Sequence, residues 1–450
     1  MVDMTEGKPF GHLWRYALPI LLGNWLQLAY NAVDSIIAGR FIGRDALAAE
    51  GIAGPVMNLV ILFITGLCIG SGVLMSEAFG ARDYRKLRNC QTTLLLFGLL
   101  SSVLLTAVAV MLSPYILVFL AVPDEILGIT DSYLRIIFLG TPFTFCYNAL
   151  AAGLKSVGDS KTPLKFLAFS SVLNALLDLI FLGIFRFGII CSAVTTVMAE
   201  AVSASLALIH MIRHEKELCP VRSELHIDRA LLRPILAYGG PTALQQAIQP
   251  IGKVLIQSQV NALGVNSIAA FNAVTRVDDF ACIPEQGIAT AIATYIAQNR
   301  GAGRNGRIRK GFRTGIAMEL SYWLIICILS FSFRRPIISM FVSGSSSAAV
   351  IAEGAAYLSL MSFFYIFPAL TNGFQGFYRG MGKMYTTMAG TFIQTGVRTA
   401  SAFILAPRFG LSGIALSCAA GWSLMLLFEV PYYLVTCHKK GLGKEDCAVC

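Results

Sequence analysis

Apolar residues in this chain come in long runs, separated by short polar connections rich in lysine and arginine. Twelve runs predict helices: 14–38, 46–78, 90–120, 126–154, 162–185, 188–212, 233–262, 267–299, 309–334, 348–377, 384–406 and 411–437. Most reach or exceed the ~20 residues a helix needs to cross a bilayer. In lipid each spanning segment must satisfy its own backbone hydrogen bonds, which a helix does alone. The composition agrees: of 450 residues, 56% are hydrophobic and only 13% charged. A water-soluble fold cannot bury that much apolar surface, so the expected class is an all-α polytopic membrane protein.

Charge sets the expected orientation. Basic residues flank the N-terminus (Lys8, Arg15) and follow run 2 (Arg82, Arg85, Lys86, Arg88), run 6 (Arg213, Lys216, Arg222, Arg229) and run 8 (Arg300, Arg304, Arg307, Arg309). The loops after runs 4 and 10 and the tail continue the bias, so most of the 35 Lys and Arg fall on one side. By the positive-inside rule that side, with both termini, is cytoplasmic. This bias also accounts for the net charge of +10. The basic loops lack the interleaved aromatics of a nucleic-acid surface, so no nucleic-acid partner is expected. Met1–Phe10 is polar and the first apolar run exceeds spanning length, so an uncleaved anchor is expected in the cytoplasmic (inner) membrane.

The chain repeats itself. Residues 43–88 align with 264–309 without a gap, pairing Gly43 with Gly264, Gly66 with Gly287, Gly80 with Gly301 and Arg88 with Arg309. A second echo pairs Asn148, Lys155 and Gly158 with Asn372, Arg379 and Gly382. The longest hydrophilic stretch lies between runs 6 and 7. The expected division is therefore an N-lobe over 1–213, a linker over 214–232, a C-lobe over 233–438 and a tail over 439–450. Six helices per half give both halves the same orientation, so the twelve spans form two pseudo-symmetric six-helix bundles, parallel repeats around a central cavity.

Polar residues inside the runs mark the candidate chemistry. Asn24, Gln27, Asn31 and Asp34 share one face of the first helix, and Gln245, Gln249, Lys253 and Gln257 one face of the seventh. Such faces point into a bundle or a watery cavity, because amides and charges are costly in lipid. For the amides, a hydrogen-bonded seam between helices is an equal alternative. Asp34 and Asp178, with Asn174 one turn before it, are intramembrane acids and functional candidates by default. Two carboxylates with an amide and a hydroxyl make a hard-oxygen site for Na⁺. They equally make a proton site, since two desolvated like charges resist full ionisation together. The structural alternative pairs the acids with a nearby base, Arg135 being nearest.

The second half has diverged: Leu255, Arg398 and Ala402 stand where the first half has Asp34, Asn174 and Asp178. Lys253, Arg276, Asp278, Asp279, Glu285 and Arg398 suggest internal ion pairs there, with Arg276 neutralising Asp278 and Asp279. Glu285 and Lys253 remain candidates for substrate contact. Pro19 and Pro241 sit in matching places of the first and seventh helices, where each removes a backbone bond and permits a bend. Pro19 is the expected hinge.

Absent motifs narrow the function. No G-x-x-x-x-G-K-[ST] encodes an ATP-driven engine, and no H-E-x-x-H or nucleophile triad appears. The histidines (His12, His210, His214, His226, His438) lie in loops and at run ends. An enzyme is not expected, nor is a resident cofactor. The 11 cysteines read as small buried hydrophobes, and Cys447-x-x-Cys450 lacks a second ligand pair.

With these residues in view, the chain resembles the multidrug and toxic compound extrusion (MATE) family over essentially its whole length, within the wider multidrug/oligosaccharidyl-lipid/polysaccharide flippase superfamily. The resemblance rests on Val33-Asp34-Ser35, Gly39-Arg40, Gly43 and Ala46-Leu47-Ala48-Ala49, and on Gly158-Asp159-Ser160-Lys161-Thr162-Pro163 and Asn174-x-x-x-Asp178. It continues in Pro284-x-x-Gly287, Gln298-Asn299-Arg300-Gly301-Ala302-Gly303 and Arg379-Gly380-Met381-Gly382-Lys383. It implies two six-helix lobes working by alternating access, as an antiporter of drugs or metabolites against H⁺ or Na⁺. It also implies a cation or proton site at Asp34, Asn174, Asp178 and Thr196, with Asn148 nearby. Acids that some members carry in helices 7 and 10 are replaced here by Gln249 and uncharged residues near 372–375.

The function expected is thus secondary active efflux of a cationic, amphipathic small molecule. H⁺ or Na⁺, the latter at Asp34 and Asp178, is the coupling ion, and Gln27, Asn31, Gln245, Gln249, Lys253 and Glu285 face the substrate cavity. The alternative is a flippase for a lipid-linked oligosaccharide or peptidoglycan precursor. The expected partners are the substrate and the bilayer, around a monomer.

Overall fold

The computed structural model describes residues 2–41, 44–221, 224–341 and 347–439; within its helices the side chains at 31–32, 34–36, 38–40, 44–47, 347 and 439 are not described. Every element among the described residues is helical. In chain order these are α1 (Pro9–Phe41), α2 (Arg44–Gly80), α3 (Tyr84–Phe119), α4 (Asp124–Ser156), α5 (Lys161–Asp178), α6 (Ile189–His214) and α7 (Arg229–Asn261). Then come α8 (Val265–Gly301), α9 (Asn305–Ser332), the short α10 (Arg334–Ser339), α11 (Ser347–Phe364), α12 (Ile366–Gly380) and α13 (Met384–Lys439).

These make twelve membrane crossings. Helices α11 and α12 are one crossing interrupted at Tyr365, and α13 is two. Its 56 residues would measure ~84 Å as one straight helix, far more than the ~30 Å hydrocarbon layer. Gly410, at φ 58° and ψ −137°, breaks it three residues after Pro407. Eight described stretches are both long and apolar enough to span a membrane. The remaining crossings, α1, α7 and α8, run 33, 33 and 37 residues and carry the polar stripes. Outward faces are apolar, as lipid requires: on α3, Leu100, Leu104, Met111 and Phe119 are 65%, 66%, 74% and 88% exposed.

Two compact units result, Met1–Asp3 with Pro19–Ala243, and Met4–Leu18 with Leu244–Cys450. The chain passes from one to the other at Pro19 and just after Pro241. In the first unit, α4 packs on α2, α3 and α6, around Met75, Leu94, Phe145 and Leu150. A Cβ on Gly66 or Gly70 of α2 would come within 2.5 Å of Ala243 or 2.3 Å of Tyr238 backbone, so only glycine lets α2 approach the start of α7 this closely. In the second unit α8 packs on α12, α9 and α11, around Tyr357, Leu358, Ala402 and Cys418.

The sequence repeat is also a repeat of geometry. After α2, Ala81, Arg82 and Asp83 N–H donate to Glu77, Phe79 and Ala78 carbonyls; after α8, Ala302, Gly303 and Arg304 donate to Gln298, Arg300 and Asn299. The left-handed position falls on Arg82 (φ 58°) in one turn and on Gly303 (φ 68°) in the other. The turns after α4 and α12 match likewise, at Gly158 and Gly382.

Each unit also grips the segment that leads into the other half's first helix. In the first, Arg88 forks onto Glu224 (2.8 and 3.0 Å), and the Thr93 hydroxyl accepts from Asp228 N–H (3.1 Å). In the second, Gln298 accepts from Met4 N–H (3.0 Å), while Arg307 and Asn299 donate to the Met4 carbonyl (3.1 and 3.2 Å). The Gln298-Asn299 motif therefore holds the chain's own N-terminal segment. Arg88 keeps the Glu224 carboxyl below the usual carboxylate range.

Candidate functional site

In the first unit a buried polar cluster forms where α5, α6 and α1 meet. Asn174 and Asp178 lie one turn apart on α5 and are 1% and 0% exposed. The Thr195 hydroxyl donates to Asp178 Oδ1. The Asn174 amide nitrogen donates to Asp178 Oδ2 (3.0 Å) and to the Tyr30 hydroxyl (3.0 Å), and its oxygen accepts from Thr196 N–H (3.0 Å). The reverse amide orientation would set two oxygens against each other, so hydrogen bonding decides it. Directly after Asp178, α5 relaxes into a π-helical turn, Leu179–Ile184, a distortion often found at functional sites.

Other expected residues fall in different places. Thr196 contributes its backbone N–H and sets its hydroxyl 3.3 Å from the Asn174 amide, while the hydroxyl that reaches Asp178 is that of Thr195. Asp34 follows Tyr30 by one turn of α1; its side chain, like that of Asn31, lies outside the described residues. Gln27 is exposed and Pro19 buried. Asn148, on α4, donates to the Thr144 carbonyl (2.8 Å), and Thr144 in turn donates to Glu200 of α6 (2.6 Å). Glu200 borders a cavity of about 20 Å³ between α2, α4 and α6. Arg135 is occupied by Asp131, 2.8 Å away on its own helix.

The second unit holds a much larger cavity, about 510 Å³, within the range of drug-sized sites. Gln245, Gln249, Lys253 and Gln257 of α7 line it, with Asp278 and Asp279 of α8, Tyr365, Arg379 of α12, and Arg398 and Trp422 of α13. Gln245 is both lining and seam: it donates to Gln375 and Thr391 (both 2.8 Å) and accepts from Arg379 (3.3 Å). Gln375 donates to Glu429 (2.7 Å). Asp279 stands 3.5 Å from Lys253, and Asp278 accepts from the Tyr365 hydroxyl. The expected neutralisation by Arg276 does not occur, because Arg276 is exposed on α8. Glu285 lies away from the cavity wall, receiving Asn372 at 3.4 Å, and shares its apolar surroundings with Glu319 of α9.

The MatE profile matches residues 19–180 and 241–404, two segments that begin at the paired prolines. The chain belongs to the MatE family. It is similar to the probable multidrug resistance protein YpnP of Bacillus subtilis (strain 168), 30% identical over 445 residues, 95% of this chain and 98% of the relative. It is also similar to the probable multidrug resistance protein NorM of Thermotoga maritima, 24% identical over 89% of this chain and 86% of that one. Among solved structures, an outward-facing multidrug resistance MATE transporter shares the fold, with TM-score 0.91 at 20% identity over 98% of both chains.

The twofold MatE match is the repeat seen in the sequence, and the chain is a polytopic membrane protein of this transporter family. Four functional candidates escaped sequence reading: Thr195, Glu200, Glu319 and Glu429. The three glutamates are lone acids inside apolar runs, a signal that was available. Thr195 and Thr196 are adjacent hydroxyls, and only the packing of α6 against α5 separates them.

Proposed function

We propose that this MatE protein is a secondary active exporter, exchanging an amphipathic small organic molecule for H⁺ or Na⁺ by alternating access in the cytoplasmic membrane. The observation that carries this reading is the enclosed Asp178, held by neutral donors and followed by one turn of π-helix. A buried carboxylate beside hydroxyl and amide donors can exchange a proton or a cation as its surroundings change. Asp34, on the helix that carries Pro19, supplies the second carboxylate, and Tyr30 joins that helix to Asn174. Uptake of the ion alters the α1–α5 contact, and the helix bends at Pro19 to release substrate. The C-lobe cavity receives the substrate.

The test is export of anionic and cationic fluorescent dyes from vesicles holding the purified protein, with pH and Na⁺ gradients imposed separately. Undiminished gradient-driven export by both Asp34→Asn and Asp178→Asn rules the coupling out.

A further inference from the structure

We propose that the C-lobe cavity is an anion-receiving site and that its ligand is an organic acid of drug size. This runs against the cationic substrate expected from the sequence. It rests on the exporter reading for transport, though not for binding.

Some of the charges around the cavity already have partners. The cavity wall carries Lys253, Arg379 and Arg398 against Asp278 and Asp279. Both acids are engaged: Asp278 accepts from Tyr365, and Asp279 lies 3.5 Å from Lys253. The arginines are less satisfied. The Nε–H of Arg398 and the Nε–H of Arg379 are each enclosed and without an acceptor. Neither guanidinium has a carboxylate within salt-bridge distance among the described residues. An enclosed guanidinium donor with no acceptor is costly, and a carboxylate, sulfonate or phosphate drawn from the cavity against either guanidinium offers the charge its missing counterpart.

The neighbouring groups fit the same ligand. The Lys253 side chain is 65% exposed, leaving its ammonium open to the cavity. Gln249 is exposed on the same face of α7, and Trp422 offers an aromatic wall for the apolar body. A cation would instead meet Lys253 and two guanidinium groups bonded to neutral partners, Arg379 to Gln245 and Arg398 to Cys418, beside two acids already engaged. The position of Arg398 gives the contrast its edge, since the first half carries Asn174 there.

Two dyes with one xanthene skeleton and opposite charge test this: fluorescein, an anion, and rhodamine 123, a cation. Binding to the detergent-purified full chain is read by dye polarisation, with quenching of Trp422 locating the dye and Trp422→Phe as control. Fluorescein is expected to bind about tenfold tighter or more, and Arg398→Gln to weaken it about tenfold, the loss of one charged hydrogen-bond pair. Gln249→Glu, at an exposed position that leaves packing alone, should weaken fluorescein and not rhodamine. Equal or tighter binding of rhodamine 123, binding of neither dye, or fluorescein binding indifferent to both substitutions overturns the proposal. Gradient-driven export separates the two readings. Export of rhodamine alone sinks the anion site and keeps the exporter, whereas tight fluorescein binding with no gradient-driven movement keeps the site and sinks the exporter.

Discussion

The two halves share turns, helix order and paired prolines, yet their interiors differ in kind. Where the N-lobe has Asn174 and Asp178, the C-lobe has Arg398 on a cavity wall and Ala402 in an apolar core. The N-lobe acid is closed in by Thr195, Asn174 and Tyr30. The C-lobe spreads five charges around about 510 Å³. On the function proposed above, the duplicated scaffold divides two tasks: the compact N-lobe cluster takes the small ion, and the C-lobe cavity takes the organic molecule.

The largest expected effect breaks the comparison if it fails. Asp178→Asn should reduce gradient-driven export about a hundredfold, to background, while Glu285→Gln in the C-lobe should cost less than about threefold, by vesicle assays at matched protein density. Equal losses would mean that both lobes couple. Next, Thr195→Val should lower export about tenfold, the worth of a hydrogen bond to a charged group. Thr196→Val should change it less, by about twofold, because its hydroxyl meets the neutral Asn174 amide at 3.3 Å and not the Asp178 carboxylate. A reversed order would misassign the site.

A packing test follows. Gly66→Ala forces α2 off the start of α7 and should destabilise the protein by about 1–3 kcal/mol, seen as a lowered thermal midpoint. Gly51→Ala, with open space around its missing Cβ, should be near neutral. The smallest effect separates the two grips. Glu224 has a depressed carboxyl, so its hold on Arg88 contributes stability above the free carboxylate value of ~4.3 and loses it as pH falls through the lower folded value. The C-lobe hold on Met4 itself uses amides and guanidinium groups against its backbone, and the Glu6 carboxylate pairs farther along with Arg304 at 3.3 Å. Acid should therefore raise hydrogen exchange around 224–228 before it does at Met4, and Glu224→Gln should erase that difference.

Most of the architecture was legible because bilayer chemistry leaves few choices. Run lengths gave the crossings, and Asn174 and Asp178 were visible as polar groups four apart in an apolar helix. The interruption at Tyr365 and the π-turn after Asp178 went unread, although Pro368, which cannot donate to the Phe364 carbonyl, stands three residues past the first and Gly183 lies within the second. The partners of Asp278 and Asp279 were legible only in part: the expected set of ion pairs holds Lys253 with Asp279, but not Arg276 with either acid. Arg276 is close in sequence, but its helical phase turns it outward, while Lys253 and Tyr365 arrive from other helices. Which charges face a cavity is decided by tertiary contacts that periodicity alone does not contain.

The most direct measurement of coupling at Asp178 compares the wild-type chain with Asp178→Asn in vesicles, under a pH gradient and a Na⁺ gradient applied one at a time, with dye binding measured in parallel. The wild type should export under at least one gradient, and the variant under neither while still binding dye. Export by the variant at wild-type rate under either gradient would contradict the assignment of the ion to the N-lobe.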